Sequence, residues 1–541
     1  MRRLRESIKT LRARLSKTLH IKDAESVMPD SSAASTEIME EASEEISEDD
    51  ASSVGDVEFS ISSEGSTSTE EEFESSTSPP TPPSQFLSYL YQDKKNKKIP
   101  TRELVKPYLV YENWLRYEFL RPDANIDDLV NLVPIYDGQE KSFKIRTIDY
   151  ETADKDLYLM PLRGRQRENK PRLAIAESLE KYQENFNAFT HGVFAGLDWS
   201  NLVVAGSSAM LPLLSRRKDV QIEEVPTTQN PGEIYYQSTA SSSDIDIFLY
   251  GIDSEDVAVR RIIEIEALVR KNQHFLSSNA LTLRSENAIT FIAPRWPYRH
   301  VQIILRLYKS ISEILTGFDV DCCCVAFDGK QVYSSPRGVT AIATRTNTID
   351  LSRRSPSYEN RLWKYRHHNF EVYWDKLDRS QIVITFDEDD DDYEGHKDLT
   401  GLARLLFSES VLRKIRKKGD HNRWRMKANL KKLDDSGDPN LVAETSSGYA
   451  NHRIVYGIRI TAEDVRHNVI SCATAPYMFG TIQEVTNPKN RKCKWQLKHT
   501  SKTRLRRKVT FIKFNPGRQM IGSFYPITDD DWTRMAYGLS E

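Results

Sequence analysis

The clearest alternation of apolar and polar positions lies in the middle of the chain, where it predicts a sheet with helices packed on it. SNLVVAGSSA is an apolar run ending in small residues, a strand closed by a tight turn, and MLPLL opens a helix behind it. SDIDIFLYG alternates residue by residue, as a strand with one buried face does. VAVRRIIEIEALVRK carries apolar residues at helical spacing. NAITFIA and RHVQIILRLY are further strand-like runs, followed by a helix at SISEILTGF and a strand at DVDCCCVAF that closes at Asp328-Gly329. Strands at 201–205, 244–250, 300–307 and 320–327 are expected to share one sheet, with the helix at 256–270 packed on it. That is an α+β architecture with a mixed sheet and packed helices.

The flanks follow other patterns. TRELVKPYLVYENWLRYEFLR reads as a packed helix, LVNLVPIYD and KSFKIRTIDY as short strands, and RLAIAESLEKYQENFNAFTHGVF as a helix leading into the central unit. Residues 1 to 20 place Leu4, Ile8, Leu11, Leu15 and Leu19 on one helical face among Arg and Lys. Such a segment suits a mitochondrial presequence, a membrane-surface helix, a partner-binding helix or a short solvated helix. Residues 23 to 84 are Ser, Thr, Glu and Asp closing in PPTPPS, a composition expected to stay disordered. Its Ser and Thr beside acids suit an acid-directed kinase, or serve only a solvating tail. After residue 350 come a basic and aromatic stretch, RRSPSYENRLWKYRHHNFEVYW, an acidic loop, FDEDDDDYEGH, and a basic run from Lys414 to Lys432. Short strands are expected at 453–460 and 508–514.

This divides the chain into a basic amphipathic segment (1–22), a disordered Ser/Glu-rich tail (23–100), a helical lead-in (101–180) and a core (181–350). A basic-aromatic extension with an acidic loop (351–412) follows, then a basic loop and small C-terminal element (413–541).

Composition changes the picture in two places. The net charge of −3 hides segregated blocks, so the blocks and not the sum point to partners. Nucleic acid is one candidate partner of the basic run at 413–432, by charge alone, and a solvated loop is the alternative. Five cysteines, three of them consecutive (Cys322, Cys323 and Cys324), do not form a disulfide framework and suit reduced thiols in a buried strand. With no long apolar span and no secretory leader, an intracellular place is expected, cytoplasmic or nuclear, or mitochondrial by way of the basic N-terminal segment.

The candidate chemistry sits in the core. Asp244 and Asp246, at i and i+2 on a strand, point to one face, while Ile245, Ile247 and Leu249 point to the other. Paired acids in so apolar a strand call for a cation, water or donors, and hard Mg²⁺ prefers carboxylate oxygens. Upstream, Gly206-Ser207-Ser208 ends a strand and opens a helix, where backbone amides can meet phosphate.

Glycine, serine and a later DxD strand resemble the signature of the nucleotidyltransferase superfamily. The resemblance implies that Gly206, Ser207 and Ser208 hold a nucleotide phosphate and that Asp244 and Asp246 bind Mg²⁺, for transfer to an acceptor it does not name. The superfamily takes a third carboxylate from a later strand. Gln302 of HVQIIL stands at that position here, and the interval from Gly206 to Asp244 is longer than the usual one, with Arg216 to Ser242 reading as an inserted polar loop. Asp319 and Asp321 form a second DxD that would complete the acids, or else they only start a strand. A wider resemblance, from SDIDIFLYG through RHVQIILRLYKSISEILTGFDVDCCCVAFDGKQVY to IDLSRRSPSYENRL and FEVYW, is to the N-terminal module of fungal ankyrin-repeat proteins, and PGRQMIGSFYPITDDDWTRMAY is similar to the junction before their repeats.

The other candidates are His367-His368 as metal ligands, and Arg353, Arg354 and Arg361 with Tyr358 as a grip on phosphate or RNA, or as a clamp onto the core. Two functions follow. One is Mg²⁺-dependent nucleotidyl transfer, and the other is a catalytically degenerate fold kept as a binding or protein-interaction module.

Overall fold

The computed structural model describes residues 78–91, 101–121, 126–146, 155–162, 172–216, 230–240, 243–274, 280–294, 297–355, 357–384, 399–417, 477–486, 494–496, 508–513 and 527–538. All of them lie within the unit spanning 65–541.

Thirteen strands occur among these residues. They are β1 (Val133–Pro134), β2 (Tyr158–Leu159), β3 (Leu202–Ala205), β4 (Ile245–Tyr250), β5 (Leu281–Arg284), β6 (Ala288–Ile292) and β7 (Val301–Tyr308). Then follow β8 (Val325–Phe327), β9 (Val332–Ser334), β10 (Thr346–Thr348), β11 (Glu371–Tyr373), β12 (Tyr477–Gly480) and β13 (Lys494–Gln496). Ten of them form one sheet in the order β1-β9-β8-β3-β4-β7-β6-β5-β12-β13. Every neighbouring pair is antiparallel except β4 and β7, which run parallel. A second sheet, β10-β11-β2, is smaller. The four runs expected in one sheet are therefore consecutive neighbours in it: β8, β3, β4 and β7.

The helices are α1 (Phe86–Tyr91), α2 (Thr101–Glu118), α3 (Leu179–Thr190), α4 (Ser207–Leu213), α5 (Pro231–Thr239) and α6 (Glu255–Asn272). They continue with α7 (Ile311–Thr316), α8 (Pro336–Thr344), α9 (Tyr358–His367), α10 (Gly401–Lys417), α11 (Ile482–Thr486) and α12 (Asp529–Tyr537). α6 shows why these segments fold as they do. The Ser254 hydroxyl accepts the Val257 amide as N-cap, Glu255 and Asp256 fill the first turn, and Arg270 and Lys271 the last. Ala258, Ile262, Ile265 and Val269 form its buried stripe, in the same core cluster as Ile245, Ile247 and Leu249 of β4. Mixed strands and packed helices make the chain α+β.

Three expectations meet corrections. The tail expected to be disordered over 23–100 lies mostly outside the described residues, but its end is folded. Phe86, Leu87 and Leu90 are buried, Phe86 meets Tyr108 edge-on at 4.8 Å, and Thr81 shares a 2.6 Å hydrogen bond with Tyr108. FLSYLY is a short apolar cluster that can bury its own face although its surroundings are polar.

The cysteine triplet is buried and unbridged, but it is not in a strand. Asp321–Cys323 is a 3₁₀ turn. It forms because the Asp321 carboxylate accepts the Thr348 amide at 2.7 Å and the Cys322 amide donates to Asn347 Oδ1 at 2.9 Å, which draws the backbone out of the sheet. Finally, the described C-terminal residues are joined to the body. β12 extends the large sheet beside β5. Ile512 bonds to the backbone of β7, and Trp532 of α12 is buried edge-on against Trp374. The basic N-terminal segment, the strand expected at 453–460 and the basic run beyond Lys417 lie outside the described residues.

Glu371, at the start of β11, makes stability depend on pH. It is buried, and burial pushes its carboxyl from the ordinary 4.5 up to about 8, against the opposing pull of the Leu162 amide that donates to it at 2.7 Å. Between those two values the folded chain holds a proton that the unfolded chain releases, so stability falls as pH rises through this window. Glu371→Gln keeps an acceptor for Leu162 and removes the titration. Urea unfolding should find the variant about 4 kcal/mol more stable than the wild type at pH 8 and within about 1 kcal/mol of it at pH 5. A difference that does not change with pH would mean that Glu371 is not the titrating group.

Candidate functional site

β3 ends at Gly206, whose φ of +78° lies where a side chain is strained. Space is not the constraint, because a Cβ there would lie 3.6 Å from the Phe318 ring, an ordinary contact. Instead the turn needs the glycine. Its amide donates to Val325 O of β8 at 2.9 Å, and its carbonyl accepts from Met210 as α4 begins. The two serines that follow differ. Ser208 is fully buried and donates its hydroxyl to Ala205 O at 3.1 Å. Ser207 makes no side-chain hydrogen bond among the described residues, which leaves its hydroxyl for a ligand.

Antiparallel pairing sets Asp246 directly opposite Ala205, one residue before that turn. On the other side of β4, parallel pairing sets Asp246 beside Gln302 of β7. Residues opposite one another in a sheet share a face. One row thus runs Ala326, Ala205, Asp246, Gln302, Thr290 across β8, β3, β4, β7 and β6. Gln302 Nε2 donates to Thr290 Oγ1 at 3.1 Å within it. The opposite face of the same strands is apolar, with Val204, Ile245, Ile247, Ile303 and Ile289 buried. The two alanines are fully buried in a second core cluster with Phe248, Ile314 and Leu315, and Phe318 packs on that cluster, its ring 5.4 Å from Phe248.

Asp244 and Asp246 are both half-buried. Burial pushes the Asp246 carboxyl well above the usual range, the like charge of Asp244 adds to that, and Lys364 and Arg361 pull it back. Those two cations are three residues apart on α9 and so share a helix face. Lys364 has no ion pair among the described residues, whereas Arg361 Nη2 lies 2.6 Å from Asp319 Oδ2, a buried carboxylate.

The four acids expected from sequence therefore divide. Asp246 is on β4, and Asp244 immediately precedes that strand. Asp319 is joined to the neighbourhood through Arg361, and Phe318 beside it packs over Gly206. Asp321 faces elsewhere: Arg337 Nη1 lies 3.0 Å from its Oδ1, and Thr348 N bonds to its Oδ2. Among the described residues no group of three His, Cys, Asp or Glu side chains is placed to hold a metal. Two adjacent, half-buried carboxylates suit one hydrated Mg²⁺, which keeps several waters in any case. Asp319 does not join them in a three-carboxylate group, and its partner is Arg361.

Arg299 is a site residue that sequence reasoning missed. It is buried just before β7, its guanidinium 4.0 Å from the Phe189 ring centre. It donates to four carbonyls: Phe189, Ala240, Ser243 and Tyr236, at 2.6 to 3.1 Å. Ser243 immediately precedes Asp244, so Arg299 anchors the entry to the acidic strand. The basic residue at the mouth of HVQIIL was the available signal. Arg353 and Arg354 act as a clamp onto the core, Arg353 bridging Asp350, Glu112 and Thr316 O and Arg354 pairing with Glu359. His367 stacks edge-on against Trp363 at 4.6 Å.

The residues that carry this geometry are also the ones with known counterparts. A family described as Gabija anti-defense 2 family protein matches residues 180–345, which takes in β3 to β9. An uncharacterised protein of Acanthamoeba polyphaga mimivirus is 31% identical over 221 residues, 38% of this chain and 43% of that protein. The match thus spans less than half of the relative's length. No solved structure matches the chain.

Proposed function

We propose that this chain is a nucleotidyltransferase-like protein that binds a nucleoside triphosphate with one Mg²⁺ and transfers its nucleotidyl group to an acceptor, the bond from the α-phosphorus to the bridging oxygen breaking as pyrophosphate leaves. The observation that carries the reading is the Asp246 row. A carboxylate pair at the start of β4 stands in register with the last residue of β3, directly before the glycine turn. Asp244 and Asp246 would hold the cation, whose chemistry when bound is to offset charge on phosphate oxygens. The Gly206 turn, the Ser207 hydroxyl and Lys364 would meet the phosphates. Likeness of residues 180–345 to an anti-defense family supports a role in counteracting a defence system, with the acceptor among that system's components.

Calorimetric titration of Mg²⁺ and a nucleoside triphosphate tests the reading. The wild type should bind nucleotide only with the metal, and Asp246→Asn should weaken binding more than about tenfold, roughly 1.4 kcal/mol or more. No binding by folded wild type at millimolar nucleotide would sink it. A second reading, a degenerate fold kept for binding, draws on Gln302 beside Asp246 and on the Arg361–Asp319 pair. It expects metal-dependent nucleotide binding with no transfer of a labelled nucleotide to any acceptor.

A further inference from the structure

The acid that would complete the site is close to it but already neutralised by a cation from the chain. Asp319 is buried, with a side chain only 5% exposed, and Arg361 Nη2 lies 2.6 Å from its Oδ2. Among the described residues no hydrogen bond reaches that oxygen, so the guanidinium is what offsets its charge. The head of Arg361 is held from the other side as well, by a hydrogen bond to the Ser355 hydroxyl. The pair sits at the site and not beyond it. Phe318, the residue before Asp319, contacts the Gly206 turn, and Phe318 also packs on Phe248, two residues along β4 from Asp246. Electrostatic coupling between Arg361 and Asp246 agrees with that placement.

We propose that Arg361 is a positioning residue that occupies, with its own guanidinium, the place of a second cation between Asp319 and Asp246, and so withholds Asp319 from a metal. A buried carboxylate needs a partner of opposite charge. Arg361 supplies one permanently, since a guanidinium does not lose its proton at neutral pH. The site in this state offers a divalent ion two carboxylates. Opening the ion pair would offer three. The inference rests on the cation-binding reading above.

Mn²⁺ alone is the probe, with free ion followed by electron paramagnetic resonance on the full chain, and circular dichroism confirming the fold of each variant. Wild type should bind Mn²⁺ weakly through Asp244 and Asp246. Arg361→Met should bind it about tenfold tighter, because affinity rises with the number of charged ligands. Asp319→Asn should abolish the gain when combined with Arg361→Met. If wild type binds and Arg361→Met binds no tighter, the inference fails while the cation reading stands. Should neither bind, both are overturned. Arg361→Gln is read in the same way if Arg361→Met does not fold, and an equal gain in the double variant would show that Asp319 is not the added ligand, which also overturns the inference.

Discussion

Arg337→Met is expected to destabilise the protein by about 3–5 kcal/mol, the cost of breaking a buried ion pair from one side. Arg337 lies on α8, almost wholly buried, and its guanidinium serves four acceptors. Its Nε donates to Glu112 at 2.7 Å, Nη1 to Asp321 at 3.0 Å, and Nη2 to the carbonyls of Leu315 and Phe318. Glu112 is 1% exposed and keeps Arg353 as a second partner at 3.1 Å. Among the described residues Asp321 has no second cation so close. Burial already pushes its carboxyl up, and Arg337 is the strongest influence holding it down. Methionine fills much of the volume and supplies no charge, so Asp321 would take up a proton or leave its turn. Urea denaturation should show the loss as a lower midpoint with an unchanged slope. Asp321→Asn combined with Arg337→Met should cost less than the two single losses added together, because the residues are partners. A loss below about 1 kcal/mol would mean that water reaches the cluster.

How far the sequence reached is set by what alternation can report. It reports a face, and so it placed Asp244 and Asp246 together and Ile245, Ile247 and Leu249 opposite, as found. The resemblance to a superfamily, not alternation, brought out Gln302, which pairs beside Asp246. Alternation holds only for extended backbone, which is why the second DxD misled. Asp319 and Asp321 are two apart, but a 3₁₀ turn begins at Asp321, and the carboxylates go to different arginines. Those partners were beyond any local pattern. Arg337 meets Glu112 across 225 residues, and Arg361 meets Asp319 across an intervening strand pair. Composition misled in a second way, by averaging. FLSYLY stands at the end of a Ser- and Glu-rich stretch, and its three buried side chains were lost in the mean.

Arg299→Met should lower both stability and nucleotide affinity, and the two losses have one cause. Four carbonyls from three segments converge on this guanidinium: the last turn of α3, the end of α5 and the loop residue Ser243. Backbone carbonyls buried without a donor cost about 1–3 kcal/mol each. Phe189, Tyr236 and Ala240 are themselves buried, so water cannot simply take the place of the guanidinium. Burial lowers its pKa to about 9, with Asp244 pulling the other way, and the group therefore stays charged at neutral pH. A net loss of about 3–5 kcal/mol is expected, read as a lower denaturation midpoint. The same change frees the carbonyls that fix the approach to Asp244. Nucleotide affinity with Mg²⁺ should then fall about tenfold even at temperatures where the variant is fully folded. Arg299→Lys separates the contributions. It keeps the charge beside Asp244, but a single ammonium with three donors cannot span four carbonyls. If charge alone mattered, lysine would restore binding. If the carbonyl cage sets the position of Asp244, lysine should bind nucleotide as poorly as methionine does. A methionine variant with wild-type affinity would detach Arg299 from the site and leave it a purely structural residue.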